Sequence, residues 1–309
     1  MGAETAVITV LGSFVGCMTL RAPRLPVQGE TLICTSLDVG PGGKGSNQAI
    51  GAARLGARVW MTACIGQDLF GRLALEVWQR EGIDTRYIVQ RSDAPTGGAM
   101  AILDPRGDNY LLVDPGANER LSPDDVRRLE AEIARSHVVM AQLEIRPDTV
   151  AEAFRLARRH GATTLLNPAP YRPLARDLLA MTDLLTPNET EARQLAGLPP
   201  DDPRPVEDVG RQLLDLGVGT IVITLGERGA LVMTREGVWR APSFAVDVVD
   251  VTGAGDSFNA ALAVALAAGR SLEAAVREAN AADALAVTRL GVVPALPTRE
   301  ALDRFLAER

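Results

Sequence analysis

Short apolar runs alternate with stretches of helical spacing along most of this chain, and that alternation limits the fold more than any other property. Val7-Ile-Thr-Val-Leu11, Val59-Trp-Met-Thr-Ala63, Val138-Val-Met-Ala-Gln-Leu143, Thr163-Thr-Leu-Leu166, Leu184-Leu185 and Ile221-Val-Ile-Thr224 have the continuous apolarity of strands buried on both faces. Helical periodicity over 47–55, 69–81, 124–134, 148–159, 189–196 and 206–216 fills the intervals. Caps such as Ser122-Pro-Asp-Asp before one stretch and Gly217 after another mark the ends. Strands joined through helices must run parallel, so the pattern predicts an α/β fold: a doubly wound, mainly parallel sheet flanked by helices. With 309 residues, 47% of them apolar, the whole chain (1–309) is expected to form one such domain.

Two stretches break the rhythm. Residues 30–39 alternate with period two, and the runs 96–103 and 109–114 flank Asp104-Pro-Arg-Gly-Asp108, a turn-rich link expected to close a hairpin. These strands predict a small second sheet inserted at about 15–39 and 96–114. Leu32, Ile33, Met100, Ile102, Leu111 and Val113 make it unusually apolar. A lid over a site is the functional reading, with the other face available for a homodimer; an annex without a chemical role is the alternative.

Composition removes several classes of function. The net charge is −7, and the 32 Lys and Arg are dispersed, so no nucleic-acid surface is expected. Cys17, Cys34 and Cys64 form neither a CxxC pair nor a metal-ligand spacing, which reads as reduced thiols in a cytoplasmic protein. With only His137 and His160 available, a His-based metal site or triad is not expected. The apolar run 260–268 is far short of the ~20 residues that span a bilayer, so no membrane partner is expected.

The chemistry concentrates in two glycine-rich segments. Asp250-Val-Thr-Gly-Ala-Gly-Asp256-Ser-Phe-Asn259 puts a small-residue turn and an acid at the start of an apolar helix beginning near Gly255. A helix start offers unpaired N–H donors and the positive end of the dipole. Asp256 is the one nearby group able to take a proton, and an anion hole beside a base suits phosphoryl transfer to a hydroxyl. Gly40-Pro-Gly-Gly-Lys44-Gly-Ser-Asn47-Gln48 adds a charge and a polyol-binding amide. It is not a Walker A loop, because Gly45 follows Lys44. Nor does Gly12-Ser-Phe-Val-Gly-Cys17 supply GxGxxG after the first strand, which argues against an NAD-dependent dehydrogenase.

Taken together, Gly42-Gly43-Lys44-Gly45 with Asn47-Gln48, Asn167-Pro-Ala-Pro170, Thr186-Pro-Asn188-Glu189-Thr-Glu191-Ala192, Thr224-Leu-Gly226 and Asp250-Val-Thr-Gly-Ala-Gly-Asp256 resemble the ribokinase-like carbohydrate kinases. The motifs keep the family's order and separations from Gly12 to Pro297. The resemblance implies a Rossmann-like domain with a β-sheet lid. It also implies ATP- and Mg²⁺-dependent transfer to a hydroxyl, a primary one, of a small sugar or sugar-like alcohol. Asp256 then corresponds to the base, and the N–H groups of Gly253, Ala254 and Gly255 to the anion hole. Asn188 and Glu191 correspond to the pair organising Mg²⁺ and phosphates, although the same spacing also reads as a capping box. Thr224, Gly226 and Asn280 fall where the family holds nucleotide, and Gly43, Lys44, Asn47 and Glu144 where it holds sugar. Asp250 and Thr252 match a monovalent-cation site, with K⁺ as the ion, but Ala295 stands where relatives carry a side-chain oxygen.

The main departure lies after the first strand. Ribokinase has Gly-Ser-Ile-Asn-x-Asp there; this chain has Val15 and Cys17 in place of the Asn and Asp. A thiol is a weak donor and acceptor, and each hydroxyl hydrogen bond lost costs about 1–3 kcal/mol. The expectation is poor ribose binding and a substrate with fewer hydroxyls or an apolar end. A nucleoside or deoxysugar kinase with the same mechanism is therefore the alternative within the class. A non-catalytic sugar-binding sensor is the alternative outside it.

Overall fold

The computed structural model describes residues 5–104 and 109–309. Eight strands form the central sheet in the order Val238–Ala241, Ala230–Met233, Thr220–Thr224, Leu184–Leu185, Thr163–Asn167, Val138–Gln142, Val7–Leu11, Arg58–Thr62. All pairings from Thr220–Thr224 to Arg58–Thr62 are parallel, and the two strands at the other edge are antiparallel. The six expected strands are all present, within a residue or so of their sequence limits.

Burial explains why these runs are apolar throughout rather than alternating. Val138 and Met140 join the core on one face of the sheet, Val139 and Ala141 the core on the other. Helices Lys44–Arg54, Leu69–Arg80, Ala254–Ala267 and Leu272–Ala286 cover the first face. Helices Pro147–His160 and Val206–Asp215 cover the second. The carboxyl ends of the parallel strands, at Gly12, Gln142, Asn167, Thr186 and Thr224, therefore open onto one edge, where such sheets hold ligands.

The second sheet has the order Ser36–Gly42, Val15–Arg21, Gly97–Leu103, Asn109–Asp114. The period-two segment at 30–39 is a strand only from Ser36 onward. Pairing with Val15–Arg21 ends at Arg21↔Ser36, so residues 30–35 lie past the end of their partner. Ile33, in that stretch, is 86% exposed. The expected helix over 124–134 is split into Pro123–Arg127 and Glu130–Ile133. Of the expected turn, 105–108 lie outside the described residues. Among the described residues no helix is long and apolar enough to cross a membrane.

Candidate active site

Helix Ala254–Ala267 begins at the carboxyl edge of the sheet, and Asp256 lies buried in its first turn. Gly253 caps it with φ +81°, and a Cβ there would come within 2.4 Å of Val292 Cγ1, so glycine is required on both counts. The N–H groups of Gly253 and Gly255 have no acceptor among the described residues, whereas that of Ala254 reaches Val251 O at 3.3 Å. All three residues line a cavity of about 580 Å³, together with Asp256. Two free amides and the positive helix end thus face a space beside a carboxylate.

Buried amides hold that carboxylate. Asn47 Nδ2 donates to Asp256 Oδ2 at 2.8 Å, and Gln48 Nε2 donates to Oδ1 at 2.9 Å. Gln48 Nε2 also donates to Asn167 Oδ1 at 3.1 Å, and its Oε1 accepts from Gln142 Nε2 at 2.6 Å. Asn167 Nδ2 in turn donates to the Thr186 carbonyl at 3.0 Å. Asn47, expected on substrate hydroxyls, therefore donates to Asp256, while its buried Oδ1 has no partner among the described residues. Gln48, Gln142 and Asn167 carry this network. Sequence reasoning gave none of them a role, and the one available signal was uncharged amides at the ends of apolar elements.

Lys44 lines the same cavity. Burial works against its charge, but the fields of Asp256, Glu144 and Glu191 outweigh that and hold the ammonium above its ordinary value. Its backbone N–H donates to Glu144 Oε2 at 2.7 Å, and Ser13 Oγ donates to the same oxygen. Glu144 thus fastens the start of helix Lys44–Arg54 to the end of the first strand. Gly43 precedes that helix with φ +91°, where a Cβ would meet Phe14 Cα at 2.9 Å. Gly43, Asn47 and Glu144 border the Asp256 region rather than lining the cavity itself.

Asn188, Glu191, Thr224, Gly226 and Asn280 all line the cavity. The two readings of Asn188 and Glu191 coexist. The Asn188 side chain accepts from Glu191 N at 2.8 Å, and Glu191 Oε2 accepts from Asn188 N at 2.9 Å, a complete capping box. Burial raises the Glu191 carboxyl above its usual range, against the Asn188 N–H and the Lys44 charge. A bridge between Asn188 and Thr224, with Thr224 N donating to the Pro187 carbonyl, brings the two strand ends together. Asn280 Nδ2 donates to the carbonyls of Ala241 and Pro242. Asp283, one turn on, also lines the cavity and was missed by sequence reasoning.

Asp250 accepts from Thr252 N and Gly291 N, each at 2.9 Å. Burial pushes its carboxyl up, but these bonds prevail and hold it below the usual range. Neither Asp250 nor Thr252 lines the cavity, and Ala295 is buried. No cluster of three His, Cys, Asp or Glu able to hold a metal occurs among the described residues. The site fits Mg²⁺ only in the way a nucleotide brings it, with most ligands from phosphate and water and at most one or two carboxylates from protein. Glu191 Oε1, not used in the cap, is the available oxygen.

Val15 is buried and Cys17 half-buried on one face of the strand running out of the site. Burial, then the charge of Glu144, raises the Cys17 thiol, so it stays protonated and is no nucleophile.

The model of the pfkB family carbohydrate kinases matches residues 6–299. The chain is 38% identical to a ribokinase of Haemophilus influenzae, over 97% of this chain and 98% of that protein. It is 34% identical to a deoxyribokinase of Salmonella typhi, over 97% and 98%. The structure of Arabidopsis thaliana ribokinase complexed with ribose and ATP superposes with a TM-score of 0.91 at 29% identity, covering 98% of this chain and 99% of that one. Ribokinase from Thermotoga maritima gives 0.88 at 34% identity, covering 98% and 99%.

Proposed function

The chain belongs to the pfkB family of carbohydrate kinases and is an ATP-dependent sugar kinase, and from that premise we propose how its own residues divide the work. The γ-phosphate lies against the Gly253 and Gly255 amides with Lys44 alongside, and an acceptor hydroxyl points at Asp256. As the hydroxyl oxygen bonds to the γ-phosphorus, its proton passes to Asp256 and the bond from the γ-phosphorus to the bridging oxygen breaks, releasing ADP. The amides and Lys44 stabilise charge on the phosphoryl oxygens in a preorganised, partly buried site. Bound Mg²⁺ would neutralise the β- and γ-phosphates, with Asn188 and Glu191 beside them. Thr224, Gly226 and Asn280 border the nucleoside part of ATP.

The observation that carries this reading is the doubly held Asp256 carboxylate beside two unpartnered amides in one cavity. On the sugar side, Lys44 and Glu144 offer polar groups, while Val15 and Cys17 offer almost none. This supports an acceptor with fewer hydroxyls than ribose, a deoxysugar above all. Coupled ADP release with ribose, 2-deoxyribose, fructose and nucleosides tests it: 2-deoxyribose should give the higher kcat/KM, and a preference for ribose would refute the assignment to Val15 and Cys17. The four-stranded sheet, with Leu37, Val39, Leu111, Leu112 and Val113 exposed, serves as lid and as contact for a second copy. Asp250 and Thr252 would hold K⁺ with fewer side-chain oxygens than relatives use, since position 295 supplies none. A cytoplasmic setting suits both the ATP donor and the free thiols.

A further inference from the structure

The cavity is polarised. Lys44, the one cation of its lining among the described residues, and the Gly253 and Gly255 amides favour negative charge, whereas Leu225, Gly226, Val251, Asn280 and Asp283 also line it and bring none. A nucleoside triphosphate is therefore expected to set its phosphates against the first group and its base against the second. Asp283 is the only charged residue between 279 and 288, in the alanine-rich second half of its helix. Its side chain has no hydrogen bond and no ion pair among the described residues. A largely buried acid without a partner is costly, and burial alone pushes its carboxyl up to about 6. Asn280 stands three positions earlier on the same helix face. Both hydrogens of its amide nitrogen are committed to the Ala241 and Pro242 carbonyls at 3.2 and 3.0 Å, which fixes the amide orientation and leaves Oδ1 as an acceptor.

We infer that Asp283 and Asn280 Oδ1 form an acceptor pair that reads the exocyclic 6-amino group of the purine, making Asp283 a specificity-determining residue for adenine nucleotides. The inference deepens the proposed nucleotide site and rests on it. Two acceptors one turn apart match the two hydrogens of an amino group. A purine with oxygen at position 6 would set acceptor against acceptor, and such a mismatch leaves buried polar groups unpaired. The Asp283 carboxylate is then satisfied by the ligand rather than by the protein.

Binding of ADP and of inosine diphosphate, which differ at position 6, tests this by calorimetry without any sugar. The wild type should bind ADP at least about tenfold more tightly. Asp283→Asn offers a donor to the 6-oxygen and should bring the ratio to about one or reverse it; Asp283→Ala, which leaves Asn280 Oδ1 in place, should weaken ADP and narrow the ratio. Melting of each variant without nucleotide controls for folding, and Asp283→Asn, which keeps the shape and removes an unpaired charge, should melt no lower than wild type. Equal binding of the two nucleotides by wild type, or an unchanged ratio in both variants, overturns the assignment, as does tighter binding of GDP than of ADP. No binding of ADP at all would instead strike at the nucleotide site itself, so the two failures are distinguishable.

Discussion

Gln48→Met tests whether the buried amides behind Asp256 act as one unit. Methionine keeps the length of the side chain but cannot donate. The change removes the bond to Asp256 Oδ1 at 2.9 Å, a bond to a charged group worth about 1.5–3 kcal/mol. It also strips Gln142, fully buried, of its one partner, whose loss costs about 1–3 kcal/mol more. Asn167 lines the cavity, so water can replace its lost bond at little cost. The expected loss is about 4 kcal/mol, a large fraction of the ~5–15 kcal/mol that holds a typical domain together. Gln142 Oε1 is already buried without a partner among the described residues. Adding Gln142→Leu therefore removes both orphaned ends, and the double variant should be more stable than Gln48→Met alone. Urea denaturation of wild type, both single variants and the double variant completes the cycle. A double variant that loses the sum of the two single losses, or a Gln48→Met loss under about 1 kcal/mol, would refute the coupling.

Two other outcomes follow from the geometry. Gly253→Ala forces a side chain into positive φ and against Val292 Cγ1 at 2.4 Å; it should lower stability by about 1–3 kcal/mol and kcat by about tenfold or more, checked by melting and ADP release. Asp283 has a folded-state pKa raised from 3.8 to about 6, so its ionisation penalises the folded state; the penalty is absent below about pH 4 and complete above about pH 6. Allowing for water in the cavity, Asp283→Asn should gain about 1–2 kcal/mol over wild type at pH 7.5 and nothing at pH 4, and a gain equal at both pH values would contradict the burial account.

The parallel sheet was legible because strands buried on both faces leave continuous apolar runs, as in 138–142, where successive residues feed opposite cores. Ala230–Met233 bears the same mark, its successive residues feeding opposite cores, but four residues are too short a run to stand out from a loop; Val238–Ala241, the edge strand beside it, alternates in burial and lacks the mark, so neither was anticipated. Period-two alternation misled at 30–35 because a strand needs a partner as well as a pattern, and Val15–Arg21 ends too soon. Asp256, the glycine turn and the Asn188–Glu191 pair were visible because each is a local feature of a helix start. The amides were not: Asn47 and Gln48 meet Asp256 across 209 and 208 positions, and no local spacing encodes such a contact. Asp283 was hidden for a related reason, since an acid in the alanine-rich half of a helix gains meaning only from the cavity beside it.

Asp256→Asn is the most direct test of the chemistry. Asn47 has a spare Oδ1 and can turn its amide to accept from the new donor, so the fold should hold to within about 1 kcal/mol. Its kcat for sugar phosphorylation, measured with saturating ATP and the preferred acceptor, is expected to fall about 10²- to 10⁴-fold while ADP binds as in wild type. A folded variant that turns over within tenfold of wild type would show that the acceptor proton goes elsewhere.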